Sequence, residues 1–339
     1  MITEQIQYIV DYHRFPGAKT PVKLLETHIS RVILTPDFAF KIKKPVHFSF
    51  LDFSTVEKRA FFCNEEVRLN RRLAPEMYLG VLPVTLAEDG FPEIGNETGE
   101  PIDFVVWMKR MDEARQMDLL LHENAVSTAE MEVLAKMLAQ FHGSVTIPAP
   151  ETSYRAGDNR TDFEDLFQLQ SECAALFGPA ATALLDMWRK KVGQFLDKHE
   201  PRLHDRATSG FWVDGHGDLH GRNIFLLPGG PVVFDCIEFN AHFRKSDILN
   251  ELAFLCMDLD AGGHHELEKS FMNAYLRDWK CIENEEDAQL FQYFKAYRAN
   301  IRLKVTLMEW QQHKTVELEK KAEVYWHLLE HYLKNLQTE

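Results

Sequence analysis

Beyond residue 110 the chain reads as mainly helical, except for one β-rich island at residues 211–239 that limits the folds it can adopt. The island opens with a polar, glycine-flanked loop, His216-Gly217-Asp218-Leu219-His220-Gly221-Arg222-Asn223, which runs into apolar Ile224-Phe225-Leu226-Leu227. Pro228-Gly229-Gly230-Pro231 then makes a tight turn, and Val232-Val233-Phe234 ends at Asp235. Two short strands joined this way form a hairpin, and its open end gathers Asp218, Asn223 and Asp235.

The order of elements around the island predicts an α+β chain. Ile2, Ile6, Ile9, Val10 and His13 recur at helical spacing until Pro16-Gly17, so residues 1–15 read as a short amphipathic helix. Runs at 22–25, 31–34 and 38–43 read as strands, and residues 54–74 as a helix capped by Ser54 or Thr55 and stopped by Pro75. Strands at 81–86 and 103–108 flank a glycine-rich loop at 88–101. Helices are expected at 128–142, 163–177, 180–196, 246–258, 265–277, 285–313 and 315–336. A β-rich N-lobe of residues 1–106, with a five-stranded sheet and one helix, then precedes a helical C-lobe of residues 107–339 that holds the island. That is the order of a protein-kinase-like, two-lobed fold.

Composition narrows the function. Lys and Arg total 38 and Asp and Glu 52, giving a formal charge of −14. Non-specific nucleic-acid binding is driven by basic residues displacing counterions, so no nucleic-acid partner is expected. No apolar run approaches the roughly 18 residues of a membrane span, so no membrane partner is expected, and the first residues lack the basic and apolar pattern of a secretory signal. The five cysteines are odd in number and widely spaced, without a C-x-x-C, which argues for a reducing, cytoplasmic setting.

The spacing within the island carries the chemistry. Asp218 and Asn223 are five residues apart, as in the kinase pattern H-R-D-x-x-x-x-N, and Asp235 follows where that pattern places a metal-binding Asp. A hydroxyl nucleophile needs a carboxylate that orients it and accepts its proton, which is the role expected of Asp218. ATP brings clustered negative charge that Mg²⁺ must bridge, and the hard oxygens of Asn223 and Asp235 suit that ion. The same letters, Gly217-Asp218-Leu219-His220-Gly221, also look like the G-D-x-H-G of two-metal phosphoesterases, but the companion G-D-x-x-D-R-G and G-N-H-E motifs are absent.

With these motifs the chain resembles the aminoglycoside-phosphotransferase-like small-molecule kinases. The resemblance rests on His216-Gly217-Asp218-Leu219-His220 with Asn223, on Phe234-Asp235-Cys236-Ile237-Glu238-Phe239-Asn240, on Leu138-Ala139-Gln140-Phe141-His142, and on Arg244 with Asp247. Glu26-Thr27-His28-Ile29-Ser30, Lys43-Lys44-Pro45-Val46, Phe50-Leu51-Asp52-Phe53-Ser54 and Leu69-Asn70-Arg71-Arg72-Leu73-Ala74-Pro75 are similar to one bacterial subgroup, some members of which are fused to a P-loop ATPase. The resemblance covers about residues 20–310. No G-x-x-x-x-G-K-[ST] occurs, so a P-loop ATPase would be a separate or fused partner in relatives.

The resemblance implies an ATP-dependent kinase acting on a hydroxyl of a small molecule. It makes Lys41 the strand lysine for the α and β phosphates, with Lys43, on the same face, as the alternative. Glu66, on the stripe of Phe62, Leu69 and Leu73, is the expected partner of that lysine, ahead of Glu65. The turn that ends at Ser30 would bring backbone amides to the phosphates without the help of a glycine. Val106 and Met108, in Val105-Val106-Trp107-Met108, would form the hinge beside adenine. Gly217 stands where protein kinases carry an Arg, so switching by activation-loop phosphorylation is not expected. His216 is expected to prop the loop, and Cys236 to be buried and inert.

On the acceptor side, Asp258 and Asp260 would suit a cationic acceptor. Arg298 and Arg302, four apart on one helix, would suit an anionic one or pair with nearby acids on the helix surface, and Tyr297 and Lys304 lie beside them. A non-catalytic nucleotide-binding protein and a protein-substrate kinase are the other readings.

Overall fold

The computed structural model describes residues 1–48, 50–147, 160–161 and 163–338. They divide into two compact units. One comprises Met1–Leu119 with Arg222–Arg244, the other Leu120–Gly221 with Lys245–Glu339. A cut at residue 106 therefore differs from this division: the hairpin expected in the helical lobe groups with the sheet.

The first unit is built on a six-stranded antiparallel sheet. It contains β1 (Lys23–Glu26), β2 (Ser30–Leu34), β3 (Phe38–Lys43), β6 (Tyr78–Leu86), β7 (Pro92–Ile94) and β8 (Asp103–Lys109), in the order β1-β2-β3-β8-β6-β7. Five strands were expected. The sixth, β7, lies within the glycine-rich loop, where three residues are too few for an alternation to show. A separate small hairpin joins β4 (His47–Phe48) to β5 (Leu51–Asp52).

Alternation along β3 decides what each face carries. Phe40 and Ile42 point into a core with Val105, Val84, Ile94 and residues Ile6 and Ile9 of helix α1 (Thr3–Asp11). Ala39 points into the opposite core with Val106, Met108, Tyr78 and residues Cys63 and Val67 of helix α2 (Val56–Asn70). Lys41 and Lys43 share the parity of Ala39 and so face α2. Thr55 caps α2 by accepting from the amide of Lys58, and the buried Arg59–Asp103 ion pair, 2.8 Å long, fastens the helix to β8. The hairpin of β10 (Ile224–Leu227) and β11 (Gly230–Val233) adds Phe225 to the α2-side core.

The second unit is helical. It contains α4 (Thr128–Ser144), α5 (Gln170–Phe177), α6 (Ala180–Thr208), α7 (Ile248–Ala261), α8 (His265–Asp278), α9 (Glu285–His313) and α10 (Val316–Lys334), while α3 (Met117–His122) lies at the boundary. Nearly every residue of α7 is buried, as befits a helix apolar on all sides. A helix was expected from residue 246, but residues 245–247 form β12 (Lys245–Asp247), paired with β9 (Trp212–Asp214). Asp247 then caps α7 by accepting from the amide of Leu249, so the helix starts at Ile248, two residues later than expected. The helix expected at 163–177 is helical at 163–164, passes through a 3₁₀ turn at Asp165–Leu169 and continues as α5. Among the described residues no helix is long and apolar enough to cross a membrane.

One buried guanidinium ties three helices of this unit together. Arg206, near the end of α6, donates to both oxygens of Asp247 at 2.8 and 2.9 Å and to the carbonyl of Cys281 at 2.8 Å. It also lies 3.0 Å from Asp287 in the first turn of α9. Removing one partner of a buried ion pair strands the others without a counter-charge. Arg206→Ala is expected to destabilise the chain by about 3–5 kcal/mol, measured by urea denaturation followed through helical circular dichroism.

Candidate active site

In the first unit, side chains from three stretches meet on the α2 side of β3. The ammonium of Lys41 lies 2.8 Å from Glu66 Oε1 and 2.6 Å from Asp235 Oδ1. Lys43 lies 2.5 Å from the other oxygen of Glu66 and is also paired with Glu238. Both lysines, on the same strand face, therefore meet Glu66, which α2 places there. Glu65 faces outward to Arg68 at 2.7 Å. Burial pushes the Glu66 carboxyl up, but Lys41 and Lys43 outweigh it and hold its pKa at about 2. Burial also works against the charge of Lys41, yet Asp235 and Glu66 keep it well above the ordinary lysine value. Burial lifts the Glu238 carboxyl above its ordinary value against the pull of Lys43, with the charge of Glu66 adding to the rise.

The hairpin sets Asn223 and Asp235. Ile224 pairs with Val233, and the amide of Phe234 donates to the carbonyl of Asn223 at 3.0 Å, so Asn223 and Asp235 flank the open end of the ladder. Asp235 has φ +62°, a left-handed conformation that Asp adopts more readily than most residues. Its neighbours hold it there. Its amide donates to the Tyr78 hydroxyl at 3.2 Å, and the next amide, of Cys236, donates to Asn70 Oδ1 at 2.9 Å. Cys236 is buried, with Arg72 Nη2 3.4 Å from its sulfur. Tyr78 was not singled out from the sequence, and Asn70, one helical turn after Glu66, stood within a quoted motif without a role.

Val106 lies opposite Lys41 in the ladder and Met108 opposite Ala39, and both side chains are buried in the α2-side core. The sequence reading gave these positions a backbone role, and both stand in a strand paired on one side with β3 and on the other with β6. Ser30 opens β2 opposite Lys43. Its amide donates to Thr27 Oγ1 at 3.0 Å and is thus engaged within the turn.

The second unit carries Asp218. Its side chain is 36% exposed, and His220 Nε2 lies 3.3 Å from its Oδ2. The amide of Asp218 reaches His216 Nδ1 at 3.3 Å, and the buried His216 ring sits beneath the loop. Burial raises the Asp218 carboxyl, but His220, His216 and Arg302 prevail and hold it well below the usual carboxylate range.

The residue before it, Gly217, has φ +83°, and its peptide is gripped on both sides. Its amide donates to the buried Glu251 Oε1 at 2.6 Å, and its carbonyl accepts from Arg298 Nη1 at 3.2 Å. Two residues earlier, a Cβ at Gly215 would collide with the buried Glu251 carboxylate, which favours glycine there. Glu251 was missed in the sequence. An acid inside the apolar run of α7 was the available signal.

Arg298 and Arg302, expected either to face an anionic acceptor together or to pair with nearby acids on the surface of α9, make separate contacts. Arg298 is buried, with Nε 2.8 Å from Asn250 Oδ1 and its guanidinium 4.7 Å from the Phe254 ring centroid, because the loop at Gly217 needs a donor there. Arg302 turns to the Tyr325 hydroxyl at 3.2 Å, and Lys304 pairs with Asp165 at 3.0 Å. Asp258 accepts from the amide of Gly221 at 2.9 Å, and Asp260 is engaged by Lys295 at 2.5 Å and by Tyr332.

Comparison with known proteins identifies the family and the fold. The family model described as the phosphotransferase enzyme family matches residues 61–284. An uncharacterised protein of Mycobacterium tuberculosis (strain H37Rv) is 30% identical over 297 residues, which cover 86% of this chain and 56% of the relative. The chain thus spans about half the length of the curated relatives it matches. A choline/ethanolamine kinase family protein from Mesorhizobium loti superposes with a TM-score of 0.57 at 12% identity, covering 99% of this chain and 96% of that one. The GDP complex of an aminoglycoside 2'-phosphotransferase superposes with a TM-score of 0.54 at 13% identity, covering 98% and 99%. The fold is kinase-like, with a curled antiparallel sheet followed by a helical region.

The Glu66 geometry fixes a pH dependence. Its folded pKa lies below the ordinary value of 4.5, so its stabilising contribution is complete above about 4.5 and is lost as pH falls towards 2. Stability is expected to decline through that window by up to about 1.4 kcal/mol per pH unit from this group. Urea midpoints measured between pH 5.5 and 2.5 test it, and Glu66→Gln is expected to flatten the slope.

Proposed function

The chain belongs to the phosphotransferase enzyme family, and on that footing we propose that it is a kinase transferring the γ-phosphoryl group of Mg²⁺-bound ATP to a hydroxyl of a small molecule. The observation that carries this reading is Lys41 held between Glu66 and Asp235, the arrangement needed to present a lysine to nucleotide phosphates beside a metal-binding carboxylate.

The donor set fits Mg²⁺. Asn223 and Asp235 offer an amide oxygen and a carboxylate, both hard ligands, and the Asp235 side chain is 44% exposed. Among the described residues no three His, Cys, Asp or Glu gather to hold a metal ion alone. An ion that arrives with nucleotide phosphates needs only one or two protein ligands. When bound, Mg²⁺ would neutralise charge on the phosphates as the γ-phosphoryl group leaves.

Asp218 would orient the acceptor hydroxyl and take its proton on a carboxylate oxygen. A carboxyl held so far below its usual range is ionised at neutral pH and a weak base, so its larger contribution would be orientation. His220 would keep the carboxylate aimed, and Glu251 and Arg298 would keep the loop in place. Lys41 would hold the phosphates, with Glu66 fixing the lysine. Val106 and Met108, whose strand is paired with both β3 and β6, would shape the wall beside the base. The turn at residues 26–30 would lie over the phosphates, with the Ser30 amide already engaged. Five cysteines without a disulfide suit a cytoplasmic setting.

The test is nucleotide turnover by purified chain with Mg²⁺ and either ATP or GTP, across choline, ethanolamine, glucosamine, aminoglycosides, nucleosides and protein acceptors. Acceptor-dependent turnover is expected to fall by about 10²–10⁴-fold in Asp218→Ala. Tight Mg²⁺-nucleotide binding with no turnover on any acceptor, alike in both proteins, would assign a binding module instead.

A further inference from the structure

Lys43 and Glu238 have no part in the transfer just described, yet both are buried and charged. They complete a chain of alternating sign, Asp235–Lys41–Glu66–Lys43–Glu238, in which each member touches the next. The Lys43 and Glu238 side chains are 1% and 4% exposed. Such a cation is tolerated in the interior only with its counter-charges in place.

Counting charges assigns Glu238 its part. The five groups hold three carboxylates and two lysines. If Asp235 is committed to a divalent cation, the remaining four balance, two against two. Without Glu238 the same four positions would keep one lysine in excess beside the cation. Position matters as much as charge. Glu238 lies three residues after Asp235, whose left-handed backbone persists only where its surroundings over-determine it. The Tyr78 and Asn70 contacts hold the start of that segment, and Arg244 Nη1 holds the carbonyl of Ile237 at 2.8 Å. The pair with Lys43 is a second link from this segment to β3, three residues beyond the Asp235–Lys41 pair.

We infer that Lys43 and Glu238 form a positioning pair that presents Asp235 to a divalent cation, so that the chain's grip on a nucleotide depends on Mg²⁺ through two residues that touch neither. The inference rests on Asp235 being the metal ligand.

The experiment is calorimetric titration of ADP into the full chain across a range of Mg²⁺ concentrations and in EDTA. The wild type is compared with Glu238→Gln and with the double variant Lys43→Met/Glu238→Leu. The double variant replaces the pair with apolar side chains, an exchange often neutral for stability, so it remains informative if the single variant fails to fold. Circular dichroism reports folding. Expected is a rise of about 10-fold in the Mg²⁺ concentration needed for half-maximal ADP affinity, with affinity in EDTA within about 2-fold of wild type. Folded variants with the wild-type Mg²⁺ dependence overturn the inference while leaving the reading of the site intact. A wild type whose ADP affinity ignores Mg²⁺ overturns both.

Discussion

Two lysines two residues apart on one face of a strand cannot be buried alone, and much of the first unit follows from that constraint. Lys41 and Lys43 face α2 because strand parity puts them there with Ala39. The helix must then deliver a carboxylate, and Glu66 serves both lysines with its two oxygens. The remaining carboxylates come from a segment nearly 200 residues further along, which explains why the hairpin must join the sheet unit. Charge pairing and topology thus require one another.

The second unit solves a different problem by similar means. Its task is to hold one peptide, at Gly217, in a conformation that most residues avoid. An acid from α7 takes the amide and a base from α9 takes the carbonyl, so the loop is gripped by two buried groups of opposite charge. The charge around Asp218 then keeps its carboxyl ionised, which suits a group meant to aim a hydroxyl more than to store a proton.

The sequence carried much of this, and its failures have physical reasons. Helix α9 matches its expected bounds, residues 285–313, and the structure shows Asn284 capping its start by accepting from the amide of Asp287. Glu66 could be told from Glu65 because an acid on an apolar stripe needs a partner. Lys41 and Lys43 could not be separated because the structure gives both to Glu66. Glu238 stood within a quoted motif, but its partner is 195 residues away and no local pattern announces such a pair. Arg298 was read as half of a basic face or as a surface partner of nearby acids, since helical spacing says which side chains are neighbours and not which way the fold turns them. Strand β7 was too short to show its period.

The division of the chain has a consequence for how it can be taken apart. The first unit is discontinuous in sequence, so the backbone passes from one unit to the other three times, after residues 119, 221 and 244. A protease that cuts any one of these passages leaves two covalent links intact. Expressing residues 1–119 alone would yield a sheet deprived of Asp235, Glu238 and the apolar cover of Phe225. Neither unit is a module that recombination could lift out intact with a single pair of breakpoints.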